Sequence, residues 1–284
     1  MPSIILPDSR KLSYALDAAP TDAPIVLLSN PLCAPLQVWD HVVPAINQKG
    51  FRTLRYDQPG HGGSSAPPAL DTTFDSMADD VSELLKALKI TKLHAWVGVS
   101  MGAAEGFYFV TRYPGIVSKF VVCDTIASSP VNAGVEDAFG PRVAAVRQSR
   151  TMEKAVQETM ERWFGNDFIA ANKDEAERMR SIMLSTTIDG FETCCHALRS
   201  SSFDLHPLYE KVAGGVDDAL FVVGEKDANL PQAMDKMREE VQQGFAAAGK
   251  PKQLDLVVIK NAGHVCFIDG KEQFLETVLS FLVN

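Results

Sequence analysis

Residues 93–113 read LHAWVGVSMGAAEGFYFVTRY, and three structural signals follow one another along this stretch. The first five residues are mostly apolar and too few for a helix, as expected of a strand buried on both faces. A turn of the pattern Gly-x-Ser-x-Gly follows at Gly98–Gly102, and the residues after it have a helical composition. Its glycines allow a sharp turn, which would lift the Ser100 hydroxyl clear of the sheet and leave the Met101 N–H free at the helix start. The stretch therefore predicts an accessible nucleophile, Ser100, beside one donor for a developing oxyanion.

Short apolar runs recur along the chain and alternate with segments of helical period. Five further runs have the length and composition of buried strands: Ile25–Leu28, Arg52–Tyr56, Phe120–Cys123, Ala219–Val223 and Leu254–Ile259. Apolar residues three and four apart predict helices at residues 74–88 and 274–282. This alternation indicates an α/β fold with a mainly parallel sheet flanked by helices. The opening residues 1–16, with a turn signal at Pro7–Ser9, predict an antiparallel hairpin at the sheet edge.

The alternation stops between residues 129 and 208, where no strand pattern occurs. Helical periods are clearest at Met152–Phe164 and Lys173–Leu184. Because structureless loops of about 80 residues are rare, this segment is predicted to be a helical lid inserted into the sheet domain. We therefore expect a core formed by residues 1–128 and 209–284 and a cap formed by residues 129–208.

Composition and charge exclude several classes of function. The 284 residues carry a net charge of −9 without a basic cluster, so no nucleic acid partner is expected. No apolar run approaches the roughly 18 residues of a membrane span, so no membrane partner is expected. Residues 1–11 contain two prolines and an aspartate where a signal peptide needs an unbroken apolar stretch. Five scattered cysteines without a Cys-x-x-Cys pair indicate reduced thiols, and a cytoplasmic protein is expected.

Six histidines offer candidates for the base that Ser100 would need. His264 lies in the loop Asn261–Val265, between the last predicted strand and the last predicted helix, at the sheet edge where ligand sites gather. His61 is the alternative, but it stands between glycines and precedes the serine in the chain. A histidine in that setting more often braces a turn. We therefore predict that His264 is the general base.

Two aspartates follow predicted strands and could accept a hydrogen bond from the other ring nitrogen of the base. Asp227 lies in the turn just after Ala219–Val223, and Asp124 directly follows Phe120–Cys123. Both remain candidates, because neighbouring strand ends converge at one place, and Asp227 is the preferred one. Its neighbour Glu225 is expected to be a solvated turn residue.

The order serine, aspartate, histidine and the three motifs resemble the α/β-hydrolase superfamily along essentially the whole chain. Segments 28–32 (LSNPL), 38–40 (VWD) and 54–57 (LRYD) are similar to the 3-oxoadipate enol-lactonase branch of that superfamily. Two segments of the predicted lid, 161–164 (ERWF) and 190–199 (GFETCCHALR), are similar to the cap of those lactonases. The resemblance implies an α/β-hydrolase fold with an inserted helical cap and a small lactone or ester substrate, often carrying a carboxylate.

The leading hypothesis is therefore a cofactor-free, metal-free serine hydrolase that cleaves a lactone or carboxylic ester through an acyl-enzyme on Ser100. One alternative is a C–C bond hydrolase or lyase on the same scaffold. Another is a ligand-binding protein that kept the fold and lost turnover. The expected partner is a small molecule, and a homodimer is left open. Within the lid, Trp163 is a candidate pocket wall, and the Cys194–Cys195 pair is expected to pack in the core.

The loop after the first parallel strand departs from the pattern that the resemblance implies. The lactonases typically have Ser-Asn-Ser-Leu-Gly there, whereas this chain has Ser29–Cys33, Ser-Asn-Pro-Leu-Cys. The superfamily usually supplies its second oxyanion N–H from the third of these positions, and Pro31 has no N–H. We expect the N–H of Leu32 to take its place, and the alternatives are the Asn30 side chain, a bound water, or a site with Met101 N–H as its one donor. These residues and Cys33 are expected to lie beside the reacting group.

Overall fold

The sheet is the centre of the protein, whose computed structural model describes residues 1–17, 20 and 22–284. Its strands are β1 Ser3–Ile5, β2 Lys11–Leu16, β3 Ile25–Ser29, β4 Arg52–Tyr56, β5 Leu93–Val99, β6 Val117–Cys123, β7 Asp218–Gly224 and β8 Asp255–Ile259. They form one sheet in the order β1-β2-β4-β3-β5-β6-β7-β8. Strands β3 to β8 pair in parallel, while β2 is antiparallel to both β1 and β4. The predicted parallel sheet and its antiparallel edge hairpin are confirmed.

The apolar runs of the sequence become strands because their side chains are buried on both faces of the sheet. Every residue of β3 is buried, and β5 is buried except for His94, which is half-buried. The central strands therefore have no face for solvent, and continuous Val, Leu and Ile runs satisfy that requirement.

Helices cover the sheet on both sides. Among the described residues they are α1 Val43–Gln48, α2 Phe74–Ala87, α3 Met101–Arg112, α4 Pro130–Ala133, α5 Phe139–Ser149, α6 Glu153–Ala171, α7 Lys173–Met183, α8 Ile188–Arg199, α9 Tyr209–Gly215, α10 Leu230–Ala247, α11 Cys266–Asp269 and α12 Lys271–Val283. Short 3₁₀ helices lie at Leu36–Trp39 and His206–Leu208. The start of α2 is fixed by a reciprocal capping box, in which the side chains of Thr73 and Ser76 each accept the other's backbone N–H. No helix of the described residues combines the length and apolar character needed to cross a bilayer.

Five consecutive helices, α4 to α8, lie between β6 and β7 in the segment that the sequence predicts to be a lid. We call residues 129–208 the helical insertion. The predicted helix Met152–Phe164 is longer than expected, since α6 continues to Ala171 beyond a kink at Gly165. Gly165 has a φ of +74°, a left-handed conformation that glycine adopts without steric cost, so the chain turns there and resumes its helix.

Candidate active site

Ser100 occupies a sharp turn between β5 and α3. Its φ of 55° and ψ of −117° are strained for a residue with a side chain. The sequence pattern predicts a helix that begins after Gly102, at Ala103. In the structure the helix begins two residues earlier, at Met101, because the chain turns within Ser100 alone. An added Cβ at Gly98 would lie 2.3 Å from the Gly102 carbonyl oxygen, and one at Gly102 would lie 2.4 Å from that of Ser29. Both glycines of the motif are therefore required by close backbone packing.

The structure brings Ser100, His264 and Asp227 together as one hydrogen-bonded chain. Nε2 of His264 lies 2.9 Å from the Ser100 hydroxyl oxygen, and Nδ1 lies 2.7 Å from Oδ2 of Asp227. The three residues follow β5, β8 and β7, whose carboxyl ends meet at the same edge of the sheet. Since Nδ1 donates to the carboxylate, Nε2 is left as the acceptor for the serine proton.

Asp124, the alternative acid, forms no hydrogen bond with His264 among the described residues. Its side chain is fully buried, and Oδ1 accepts a hydrogen bond from the N–H of Gly224 at 2.7 Å. A φ of +43° at Asp124 turns the chain at the end of β6. Among the described residues, the acid that pairs with His264 is Asp227.

Two backbone N–H groups beside Ser100 have no acceptor within the described residues. One belongs to Met101 at the start of α3, and the other belongs to Leu32 in the loop after β3. Both residues line the same cavity as Ser100 and His264. In the loop, Ala34 N–H donates to the Pro31 carbonyl at 3.3 Å, and Cys33 has a φ of +67°. This turn directs the chain so that Leu32 lies on the cavity wall.

The other residues of this loop are buried below the cavity rather than along it. Both ends of the Asn30 amide are engaged, since Nδ2 donates to the Tyr56 carbonyl and Oδ1 accepts from the Trp39 indole, each at 2.8 Å. Asn30 is therefore unavailable as an oxyanion donor. The N–H of Cys33 donates to His61 at 3.0 Å. Burial raises the pKa of the Cys33 thiol to about 12, so this thiol is not a competing nucleophile.

Asn30, Pro31 and Cys33, expected beside the reacting group, are thus absent from the cavity wall, while Leu32, Met101 and Trp163 line it. The tight turn after β3 buries Asn30, Pro31 and Cys33 against the sheet.

The cavity above Ser100 has a volume of about 280 Å³, which suits a small organic molecule. Its floor comes from the sheet domain and includes Leu32, Thr125 and Ile126. The helical insertion supplies the opposite wall, with the side chains of Ala138, Phe139, Arg142, Thr159, Arg162, Trp163 and Leu198. The insertion therefore shapes the space in which a substrate of Ser100 would lie.

Two arginines of the insertion face this cavity without a carboxylate partner. Neither Arg142 nor Arg162 forms an ion pair within the described residues. Arg142 donates to the Thr159 hydroxyl and lies over the Phe191 ring at 5.7 Å, and its Nε has no acceptor. Sequence reasoning missed this pair, because the two residues stand 20 positions apart on different helices and only packing brings them to one wall. The ERWF segment that contains Arg162 was the one available signal.

Trp163 joins the insertion to the histidine loop. Its carbonyl accepts the backbone N–H of His264 at 3.1 Å, and the two rings lie 5.7 Å apart. The buried indole N–H has no acceptor among the described residues. Trp163 is therefore a wall of the cavity, and it also holds the loop from which His264 extends.

A family profile described as the alpha/beta hydrolase fold matches residues 24–271. The chain belongs to this family. It is 27% identical over 267 residues to 3-oxoadipate enol-lactonase 1 of Acinetobacter baylyi, covering 93% of this chain and 90% of that one. A second lactonase of the same bacterium is 27% identical over 72% of each chain.

Solved structures agree with these relatives. The enol-lactonase from Burkholderia xenovorans LB400 superimposes with a TM-score of 0.83 at 26% identity, covering all of both chains. An esterase from Exiguobacterium antarcticum has a TM-score of 0.83 at 21% identity and shares the fold. The resemblance to the α/β-hydrolase superfamily and its 3-oxoadipate enol-lactonase branch is confirmed, and the prediction of a hydrolase that acts on ester bonds agrees with these relatives.

Proposed function

We propose that the protein is a serine hydrolase that cleaves a small lactone or carboxylic ester through an acyl-enzyme on Ser100. The observation that carries this proposal is the chain Ser100–His264–Asp227, with distances of 2.9 and 2.7 Å, beside two unoccupied backbone donors. Nucleophile, base, orienting acid and oxyanion donors are the complete set of groups that acyl transfer needs. The proposal uses no metal and no cofactor.

In the first step, Nε2 of His264 takes the Ser100 proton while the serine oxygen attacks the substrate carbonyl carbon. The carbonyl oxygen becomes negatively charged and is stabilised by the N–H groups of Met101 and Leu32. As the tetrahedral intermediate collapses, the C–O bond to the leaving oxygen breaks, and that oxygen takes the proton from His264. In a lactone this oxygen stays tethered to the acyl group on Ser100.

In the second step, a water molecule gives a proton to His264 and attacks the acyl carbon. Collapse of the second intermediate breaks the bond to the serine oxygen, which takes its proton back from His264. The product is a carboxylic acid, and the enzyme returns to its starting state. Throughout, Asp227 holds Nδ1 and stabilises the imidazolium charge.

We further propose that the substrate carries a carboxylate. Guanidinium groups match carboxylates in shape and charge, and Arg142 and Arg162 are on the cavity wall without an acidic partner in the described residues. The relatives named as 3-oxoadipate enol-lactonases support this assignment, because 3-oxoadipate is a dicarboxylate. Residues 129–208 would act as a cap that selects the substrate and excludes bulk water.

The test is a panel of small lactones and aryl esters, each supplied as the free carboxylate and as its methyl ester. We expect the free acids to have the higher kcat/KM. Vinylogous ketones in the same panel test the alternative of C–C bond hydrolysis. Asp227→Asn is expected to lower kcat by about 10⁴, because the amide cannot stabilise the imidazolium. Cleavage of ketones alone, or an Asp227→Asn variant with wild-type kcat, would refute the proposal.

A further inference from the structure

Asp124 is a buried carboxyl group that the proposed reaction does not use. It follows β6, one strand away from the turn that bears Asp227, and none of its surface is exposed. The N–H of Gly224 satisfies Oδ1 at 2.7 Å, whereas Oδ2 has no donor among the described residues. An ionised carboxylate with one donor in such a place would be strongly destabilised.

Asp124 and Asp227 meet at Gly224, whose N–H donates to Oδ1 of Asp124 at 2.7 Å and whose carbonyl accepts the N–H of Asp227 at 3.2 Å. The charge of Asp227 acts on the Asp124 carboxyl group across this turn. Two neighbouring carboxylates inside a protein repel each other strongly when both are charged. One of them therefore retains a proton. A proton between them turns a repulsive contact into a hydrogen bond. It would also satisfy the oxygen of Asp124 that otherwise has no partner.

The surroundings decide which residue keeps the proton. Asp227 receives a hydrogen bond from Nδ1 of His264 at 2.7 Å, and that ring becomes positive during the proposed reaction. Asp124 is more deeply buried and receives one backbone N–H. Burial, followed by the nearby charge of Asp227, raises the pKa of Asp124 well above its ordinary value. These surroundings favour the proton on Asp124.

We propose that Asp124 is a protonated carboxylic acid that donates a hydrogen bond to Asp227 and thereby positions the acid of the triad. This inference rests on the proposed function of Ser100, His264 and Asp227. Within the described residues, His264 is the other side chain that donates to the Asp227 carboxylate. The Asp124 hydroxyl would therefore be the second fixed point that holds this carboxylate in the orientation His264 needs.

The other titratable groups around Asp124 are neutral or more distant. The Cys266 thiol, at the start of α11, is fully buried near Asp124, and burial raises its pKa well above the ordinary value. Cys123, the preceding residue on β6, is also a fully buried thiol whose pKa burial raises. Asp269 of α11 acts on Cys266 through its charge. Among the described residues, no cation is one of the groups that act on the Asp124 carboxyl group, so nothing there favours its ionised form.

Two substitutions distinguish this role from a structural one. Asp124→Asn keeps an uncharged donor of the same shape, and asparagine tolerates the positive φ. It is expected to retain kcat within about threefold and to leave the pH profile unchanged. Asp124→Ala removes the donor and is expected to lower kcat about 10- to 100-fold with little change in KM. Without the donor, the Asp227 charge is less neutralised and favours the imidazolium, so the acid limb of the kcat/KM profile moves to higher pH.

Val122→Ala is the matched control, because it removes buried volume from the same strand without touching a polar group. It is expected to lower stability and leave the pH profile in place. A wild-type rate and profile in Asp124→Ala, or an Asp124→Asn variant as impaired as Asp124→Ala, would overturn the inference. Ser100→Ala in the same assay separates the two proposals, since its retention of activity would refute the proposed function itself.

Infrared spectroscopy gives a second measurement that does not depend on the folding of the alanine variant. The spectra are taken in a Glu105→Gln background, because the pKa of Glu105 is about 7 and this carboxyl group would add its own signal. At neutral pH the protein with Asp124 in place is expected to show the carbonyl stretch of a protonated carboxyl group, above the amide band. Asp124→Asn is expected to lose that signal, while Asp269→Asn keeps it. A spectrum that is unchanged by Asp124→Asn would overturn the inference.

Discussion

The backbone N–H of Cys33 donates a hydrogen bond to Nε2 of His61 at 3.0 Å, which joins the loop after β3 to the loop after β4. Nδ1 of the same ring is 3.0 Å from the Pro59 carbonyl. Burial lowers the pKa of His61 to about 4, so at neutral pH the ring is uncharged, with one donor and one acceptor. This ring therefore braces the turn that places Leu32 on the cavity wall.

Replacing His61 tests whether this brace matters for turnover. His61→Ala leaves the Cys33 N–H without its acceptor and loosens the loop. We expect kcat to fall by about tenfold or more, but by less than the roughly 10²–10³ lost when an oxyanion donor is missing. Steady-state kinetics on the best ester of the panel measures the effect. The control His41→Ala alters an exposed histidine paired with Glu175 and is expected to change nothing. A His61→Ala enzyme with wild-type kcat would show that the brace is dispensable.

Leu32 and Pro31 give a pair of substitutions with opposite expectations. Leu32→Pro removes one N–H from a turn whose following residue has a positive φ, a turn type that accepts proline at this position. It is expected to lower kcat by roughly 10²–10³. Pro31→Ser, in contrast, is expected to change kcat less than about threefold, because the second donor is already supplied by Leu32. A large gain in Pro31→Ser would mean that position 31 is the missing donor.

Arg162 tests the recognition of a substrate carboxylate. Arg162→Gln removes the charge, and we expect KM for a carboxylate-bearing substrate to rise about tenfold or more, as for the loss of a charged hydrogen bond. KM for its methyl ester is expected to stay the same. Arg150→Gln, on an exposed residue of the insertion outside the cavity, is the control. Equal effects on acid and methyl ester would contradict a carboxylate contact.

Local sequence signals indicated Ser100, His264 and Asp227, because each lies in the turn or loop that follows a strand and parallel strands bring their ends to one edge. The sequence also predicted the hairpin and the helical segment after β6. Arg142 could not be predicted, since it reaches the cavity only through the packing of α5 against its neighbours. The proximity of strand ends makes both Asp124 and Asp227 plausible acids, and only the three-dimensional structure shows that Asp227 is the one that pairs with His264.

Glu105 was not indicated by any motif, yet it forms a buried polar cluster behind the oxyanion loop. Its Oε2 accepts hydrogen bonds from Tyr56 at 2.6 Å, Gln58 at 2.6 Å and Ser29 at 2.9 Å, while Oε1 has no donor among the described residues. Burial is the main cause that raises the pKa of Glu105 to about 7. Through these side-chain hydrogen bonds, Glu105 links α3 to the ends of β3 and β4.

This raised pKa predicts how stability depends on pH. The folded state binds the Glu105 proton more tightly than the unfolded chain, so the free energy of unfolding falls as pH rises from about 4.5 to about 7 and is level above. Glu105→Gln removes this dependence, and relative to wild type it is expected to gain up to about 3 kcal/mol between about pH 5 and pH 8. Urea unfolding at the two pH values measures the difference. If the free energy of unfolding changes equally with pH in wild type and in Glu105→Gln, the pKa of Glu105 is not raised.

The central claim is that Ser100 is the nucleophile that carries the acyl group. The most direct measurement is peptide mass spectrometry of the native protein after treatment with a fluorophosphonate, which reacts with activated serines. The account predicts one modified residue, Ser100, and loss of the modification in both Ser100→Ala and His264→Ala, because the hydroxyl depends on its base. Folded protein with Ser100 unmodified, or with the label on another residue, would contradict it.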